Sequence, residues 1–315
     1  MIVNLILIAV ALLLLFVGAE GLVRGSASLA LGAGLSPLMV GLTIVAFGTS
    51  SPELVVSVSA ALSNQGDLSV GNVVGSNAFN IAVILGLTAL VCPIPVHRQI
   101  LKIDAPIALG VALLLPVFII NEILERVEGL LLFAGLIAYI WMNFVLARRQ
   151  TKATAEHRNE SFPPARSRHW WMDVACIGGG LGVLVLGSHL LVNHSVALAK
   201  MFGVSEAVIG LTIVAAGTSM PELATSLIAA VRRQPDIAIG NVVGSNVFNI
   251  LGILGLSSII APLHVSELSL LDYAAVIIFS VLLIPLLYTR RLLHRLEGGV
   301  LLALYGGYLL LLWPK

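Results

Sequence analysis

Two glutamates stand in the same setting at two distant places in the chain. Glu53 closes Gly48-Thr49-Ser50-Ser51-Pro52-Glu53, and Glu222 closes Gly217-Thr218-Ser219-Met220-Pro221-Glu222. Each motif lies inside an apolar stretch with no Lys or Arg within it. An ionised carboxylate at mid-bilayer depth costs at least about 2.5 kcal/mol, so such an acid is either protonated or paired with a cation. Thr49 and Ser50, like Thr218 and Ser219, precede their Glu by three or four residues and share its helical face. Thirty or so residues on, Gly75-Ser76-Asn77-Ala78-Phe79-Asn80 and Gly244-Ser245-Asn246-Val247-Phe248-Asn249 place Ser76 with Asn80, and Ser245 with Asn249, four apart on one face. Proline removes a backbone donor from a helix. Carbonyls around Ala46 and Ala215 are therefore expected to lose their helical partners and to face protein or water. Carboxylate, hydroxyl, amide and carbonyl oxygens without Cys or His make a site for a hard cation, not for zinc or copper. Ca²⁺ takes six to eight such oxygens in flexible geometry, and Mg²⁺ fits less well because it holds its waters. Two Glu also cancel the charge of one divalent ion.

Plainer roles stand beside these. A membrane proline is often only a kink, and Ser, Thr and Gly often only pack helices together; Ser57, Ser59 and Ser226 are accordingly left unassigned. Glu20 is read as a structural or ion-path acid with Arg24 as its partner one turn on. His189 and His194 are read as satisfied by neighbours, Asp67 and Asp236 as caps or first-turn partners of helix dipoles, and the Arg232-Arg233 and Arg290-Arg291 pairs as topology anchors.

The elements that must carry these residues are membrane helices. The chain has 315 residues, 58% hydrophobic and 10% charged, with a mean hydropathy of +1.04. Soluble domains carry about 25% charged residues. The composition excludes a cytosolic enzyme, a disulfide scaffold, a disordered chain and a nucleic-acid binder. Ten apolar stretches are long enough to cross a bilayer: 2–23, 38–62, 69–92, 104–121, 128–147, 173–197, 207–231, 238–261, 271–289 and 297–313. Residues 148–170, with six Lys/Arg and the pair Pro163-Pro164, form a polar linker between a first unit, 1–147, and a second, 171–315. The first stretch lacks a basic leader, and residues 16–30 resemble 185–199, so it is read as a retained helix and not as a signal peptide. Cys92 and Cys176 are read as free thiols on a reducing face.

The two units repeat. GLTIVAFGTSSPEL at 41–54 returns as GLTIVAAGTSMPEL at 210–223 with twelve of fourteen positions identical. GNVVGSNAFNI at 71–81 returns as GNVVGSNVFNI at 240–250 with ten of eleven identical, at the same offset of 169 residues. Five spans per repeat is an odd number, so the second copy enters the membrane from the opposite side, the inverted arrangement of many secondary transporters. The expected fold is an all-α polytopic membrane protein of ten transmembrane helices in two inverted five-helix repeats. With the linker in the cytoplasm, 14 of the 17 Lys/Arg fall on that side, and only Arg126, Lys200 and Lys315 on the other. The positive-inside rule therefore places both termini outside. Trp170, Trp171, Tyr305 and Trp313 are read as interfacial anchors.

These motifs resemble the two alpha repeats of the cation/Ca²⁺ exchanger superfamily, specifically its prokaryotic sodium/calcium antiporters, and the resemblance spans both halves. It implies a multi-pass protein of the cell membrane that exchanges Na⁺ inward for Ca²⁺ outward by alternating access, with no cofactor and no obligatory protein partner. It implies ion ligands at Ala46, Thr49, Ser50, Glu53, Ser76 and Asn80, and at Ala215, Thr218, Ser219, Glu222, Ser245 and Asn249. The last position is acidic in some relatives, including several that carry K⁺; Asn249 here weakens K⁺ co-transport and leaves two central acids. About three Na⁺ against one Ca²⁺ would move one net charge per cycle, worth about 2.3 kcal/mol per 100 mV. The glycine-rich first and sixth spans (Gly18, Gly21, Gly25; Gly178, Gly179, Gly180, Gly182, Gly187) are expected to slide across the remaining core. The alternatives are an H⁺/Ca²⁺ antiporter of the same fold and a cation channel. No Ser-His-Asp or Ser-Lys arrangement accompanies Ser50 or Ser219, so the chain is not read as an enzyme.

Overall fold

The computed structural model describes residues 1–33, 35–158, 170–202, 215–266, 268–288 and 291–312. Residues 207–214 of the seventh expected span lie outside these, as do 159–169 of the linker, Arg290, Trp313 and Lys315. The helices are α1 Ile2–Ala33, α2 Pro37–Thr49, α3 Ser51–Leu62, α4 Gly66–Val91, α5 Ile100–Phe118, α6 Arg126–Arg158, α7 Trp170–Met201, α8 Ala215–Thr218, α9 Met220–Val231, α10 Pro235–Ile260, α11 Leu270–Tyr288 and α12 Arg295–Leu312. Among the described residues seven helices are long and apolar enough to cross a membrane, and the bent pair α2–α3 makes an eighth span. The protein is an all-α polytopic membrane protein in architecture.

Three details depart from the expected elements. First, α6 continues through the start of the linker to Arg158. The residues there, QTKATAEHR, are mostly good helix formers, and no Gly or Pro stops them. Second, four two-residue strands occur: β1 Ile94–Pro95, β2 Ile123–Leu124, β3 Leu263–His264 and β4 Leu292–Leu293. They form two antiparallel pairs, β1 with β4 and β2 with β3, and so satisfy backbone groups in turns between helices. Third, Tyr305, read from the sequence as an interfacial anchor, makes internal aromatic contacts. Its ring packs against Phe79 at 5.9 Å and Phe279 at 6.3 Å, because α12 lies against α4.

Contacts exchange under the 169-residue offset. A Cβ on Gly86 would stand 3.0 Å from the carbonyl oxygen of Gly298, and one on Gly255 3.1 Å from that of Gly129. The strands behave likewise, since β1 and β2 shifted by the offset become β3 and β4.

The core is formed by α4 and α10, which are 78% and 94% buried over their apolar windows; α1 and α7 are each 22% buried. These two outer helices pack on each other through glycine. A Cβ on Gly18 would lie 2.8 Å from the Gly180 carbonyl oxygen, one on Gly180 2.7 Å from that of Gly18, and one on Gly25 2.8 Å from that of Asp173. Only backbone-to-backbone approach fits there. Gly178, Gly179 and Gly182 meet nothing within 4 Å among the described residues, so they are not part of that seam.

Candidate functional site

The helix break comes first, because it sets where the acids point. At Ser50 the backbone leaves helical geometry (φ −80°, ψ 6°), and α2 and α3 meet at 47°. Ser219 has the same conformation (φ −87°, ψ 8°) between α8 and α9. Pro52 and Pro221 thus sit in the first turn of a new helix, where a missing N–H costs nothing. Glu53 and Glu222 fall in the same first turns, at the positive ends of the α3 and α9 dipoles. One expectation is corrected. The Ala46 carbonyl keeps a helical partner, the Ser50 N–H at 3.0 Å. The donor that Pro52 removes belongs one turn before it, to Gly48 and not Ala46. Ala215 opens the described part of its helix.

The two acids come together in the interior. Both are fully buried, and each is held by a serine of the opposite half: Ser50 donates to Glu222 Oε1 at 2.8 Å, and Ser219 to Glu53 Oε1 at 2.8 Å. Ser219 Oγ also stands 3.2 Å from Ser76 Oγ. Thr218 lies half-buried beside Glu53, and Thr49 donates to Asn241 Oδ1 at 3.0 Å. Among the described residues no Lys or Arg pairs with either acid; the ion pairs found are those of Glu20 with Arg24 and Arg232. The partnership of Glu20 with Arg24 agrees with the sequence reading, whereas Arg232, taken there as a topology anchor, is a second partner.

Four asparagines that the sequence reading passed over organise the rest. Asn72 donates to the Glu53 carbonyl at 3.3 Å and to Ser57 Oγ at 3.0 Å, and Asn241 does the same to Glu222 and Ser226 at the same distances. Ser57 and Ser226, left unassigned, are therefore supports for the two glutamate turns. Asn77 donates to the Asn246 carbonyl at 3.1 Å, and Asn246 to the Asn77 carbonyl at 3.4 Å. Backbone carbonyls accept only, so these two amides are fixed with their NH₂ groups outward and their Oδ1 atoms inward. Asn80 must then present its NH₂ to Asn246 Oδ1, at 3.0 Å, and Asn249 its NH₂ to Asn77 Oδ1, at 3.0 Å. All four recur at the repeat offset within GNVVGSN, which was the signal available in the sequence. Asn80 and Asn249 also begin the π-helical turns Asn80–Ile84 and Asn249–Leu254, irregularities common at functional sites.

The result is a set of five buried oxygens without a partner, four carboxylate or amide acceptors and one hydroxyl. Glu53 Oε2, Glu222 Oε2, Asn80 Oδ1, Asn249 Oδ1 and Ser245 Oγ are buried and lack a hydrogen-bond partner. An unpaired buried polar atom costs about 1–3 kcal/mol, and more when charged. With the acids ionised, four of these five atoms can only accept, so an oxygen-seeking cation is a natural complement. Of the residues singled out as ligands, ten are buried along α2–α4 and α8–α10, Thr218 is half-buried, and Ala215 is placed by its backbone alone; contacts across the halves join Ser50 to Glu222, and Ser219 to Glu53 and Ser76.

Comparison with known proteins gives the family. The family model described as sodium/calcium exchanger protein matches residues 3–145 and 172–313. A putative antiporter, CaxA of Alkalimonas amylolytica, is 38% identical over 100% of both chains. The sodium/calcium exchanger MaX1 of Methanosarcina acetivorans is 32% identical over 99% of both. Among solved structures, the sodium-calcium exchanger NCX_Mj soaked with Na⁺ and Sr²⁺ superposes with a TM-score of 0.84 at 28% identity, covering 100% of this chain and 99% of that one. The chain belongs to the sodium/calcium exchanger protein family, a family of membrane transporters and not of enzymes.

Proposed function

We propose that this protein is a secondary antiporter that exchanges Na⁺ inward for Ca²⁺ outward across the cell membrane by alternating access. In this reading it has ten membrane helices in two inverted five-helix repeats, 1–147 and 171–315, joined by a cytoplasmic linker, 148–170, with both termini outside. The reciprocal contacts at the 169-residue offset support the repeat, and the 14-to-3 distribution of Lys/Arg supports the orientation. The ligand set is Ala46, Thr49, Ser50, Glu53, Ser76 and Asn80 with Ala215, Thr218, Ser219, Glu222, Ser245 and Asn249; Ca²⁺ and Na⁺ are cargo, and no resident cofactor is invoked.

The observation that carries the reading is the group of buried oxygens with no donor, gathered around two glutamates. Ca²⁺ neutralises both acids and takes the amide and hydroxyl oxygens as further ligands. Na⁺ ions load the same oxygens one charge at a time. The match to the sodium/calcium exchanger family and to relatives of that description supports Na⁺ over H⁺ as the counter-ion. An unloaded cage would hold uncompensated negative charge away from water. That cost blocks the empty carrier from crossing and makes transport an exchange instead of a leak.

The test is ⁴⁵Ca²⁺ uptake into Na⁺-loaded proteoliposomes with the pH clamped. Wild type is expected to accumulate Ca²⁺; Glu53→Gln and Glu222→Gln are expected to lose exchange while remaining folded and monodisperse. Uptake driven by a pH gradient but not by Na⁺ would transfer the reading to an H⁺/Ca²⁺ antiporter, and downhill flux without a counter-ion to a channel.

A further inference from the structure

One ion-paired cluster crosses the boundary between the outer helices and the core. Glu20, on α1, has a side chain only 15% exposed. Arg232, directly after the end of α9, pairs with it: its Nε donates to Oε2 at 2.8 Å, and its Nη2 stands in ion-pair contact 2.7 Å from Oε1. Arg24, one turn further along α1, pairs with the same carboxylate. The first turn of α9 carries Glu222, so the grip joins α1 to an element that builds the cage. Under the 169-residue offset Glu20 becomes His189, Arg24 becomes Asn193 and Arg232 becomes Ser63. The second half therefore has no equivalent ion pair, and the exchange symmetry seen elsewhere is broken here.

We propose that Glu20 and Arg232 are positioning residues, a latch that holds α1 on α9 and biases the carrier toward the arrangement seen in this structure. The proposal rests on the alternating-access reading, in which α1 and α7 move together against the core. Two closely matched halves would give two end states of similar energy. A charge-assisted arginine–carboxylate contact present at one end only makes them unequal. Arg24 gives the latch its reversibility: it rides on α1 with Glu20, so the carboxylate keeps one cationic partner after Arg232 leaves. A half-buried acid left with none would be more costly.

The three residues thus have distinct signatures. Glu20→Gln and Arg232→Gln remove the latch, and the double variant removes nothing more. Arg24→Gln acts in the opposite direction, because Glu20 then loses all compensation only when the latch opens. The measurement is the distance distribution between spin labels at Leu13→Cys on α1 and Leu296→Cys on α12, both exposed, in a Cys92→Ala/Cys176→Ala background in lipid nanodiscs. Glu20→Gln and Arg232→Gln are expected to change the ratio of the two end-state populations about two- to fivefold in one direction, with the double variant matching either single. Arg24→Gln is expected to change it in the other. Unaltered distributions in both latch variants, or a shift in the same direction for Arg24→Gln, would overturn the latch. The distances are read without transport, so shifted populations in a chain that shows no Na⁺-driven Ca²⁺ uptake would keep the latch and defeat the exchange reading instead.

Discussion

Asn80 and Asn249 keep their oxygens free because their nitrogens are claimed elsewhere. The claim is made by Asn246 and Asn77, whose own amides are oriented by backbone carbonyls of the opposite half. The oxygens of the proposed cage are thus oriented by residues outside the proposed ligand set. Asn246→Leu tests this at the level of one side chain. The Asn80 NH₂ loses its acceptor, and the amide is free to turn a donor toward the cation. Leaving that donor unsatisfied costs about 1–3 kcal/mol, so Ca²⁺ affinity measured by isothermal titration should fall about fivefold or more. Unchanged affinity would show that the amide orientation is irrelevant to binding. That Ser76 shares a face with Asn80, and Ser245 with Asn249, was legible from spacing alone, since four residues bring two side chains onto one helical face. Asn77 and Asn246 were not, because they face each other across the two halves, and a helical period reports only neighbours on one helix.

At the scale of elements, the break in α2–α3 turns a helix interior into a helix start. The acids gain a helix N-terminus, and the prolines lie where they do no damage. Pro and Gly in the motifs announced a break, but not its register: the carbonyl released from its usual partner is that of Gly48, not of Ala46. The α1–α7 seam is the other element-level device. Gly18 and Gly180 bring two backbones into contact, and side chains added there must push the helices apart. Gly18→Leu is expected to cost about 1–3 kcal/mol of stability through overpacking, seen as a lowered Tm in detergent, whereas Gly179→Leu, facing open space, should leave Tm nearly unchanged. Equal effects would mean that the seam does not depend on backbone approach. Sequence grouped all the glycines of the sixth span together, since nothing in one helix says which of its faces meets a partner.

For the molecule as a whole, the charge of the cage decides the energetics of the proposed cycle. Two carboxylates with Ca²⁺ are neutral, and with a third Na⁺ the load is positive, so the return step carries charge. One elementary charge across 100 mV is worth about 2.3 kcal/mol, or roughly a 50-fold change in the equilibrium Ca²⁺ ratio. A valinomycin-set potential, positive inside Na⁺-loaded proteoliposomes, should therefore speed and deepen Ca²⁺ uptake, and a negative one should oppose it. Indifference to the potential would mean an electroneutral exchange and a different load. The exchange of Gly86–Gly298 with Gly129–Gly255, and of β1–β4 with β2–β3, belongs to this scale too, since it ties the two halves by reciprocal contacts.

Residue order alone settled what is carried by composition, spacing and repetition: a membrane-embedded helical chain, two copies of one unit, and two acids too costly to stand alone in an apolar medium. Those properties depend on solvation and on helical period, which act locally. Tertiary structure decided which oxygens remain without donors, which asparagines set them, how Arg232 reaches Glu20, and which glycines form the α1–α7 seam. Each of these is a contact between segments distant in sequence. The orientation of a side chain at such a contact follows from what the opposing segment presents, and a single helix carries no record of that.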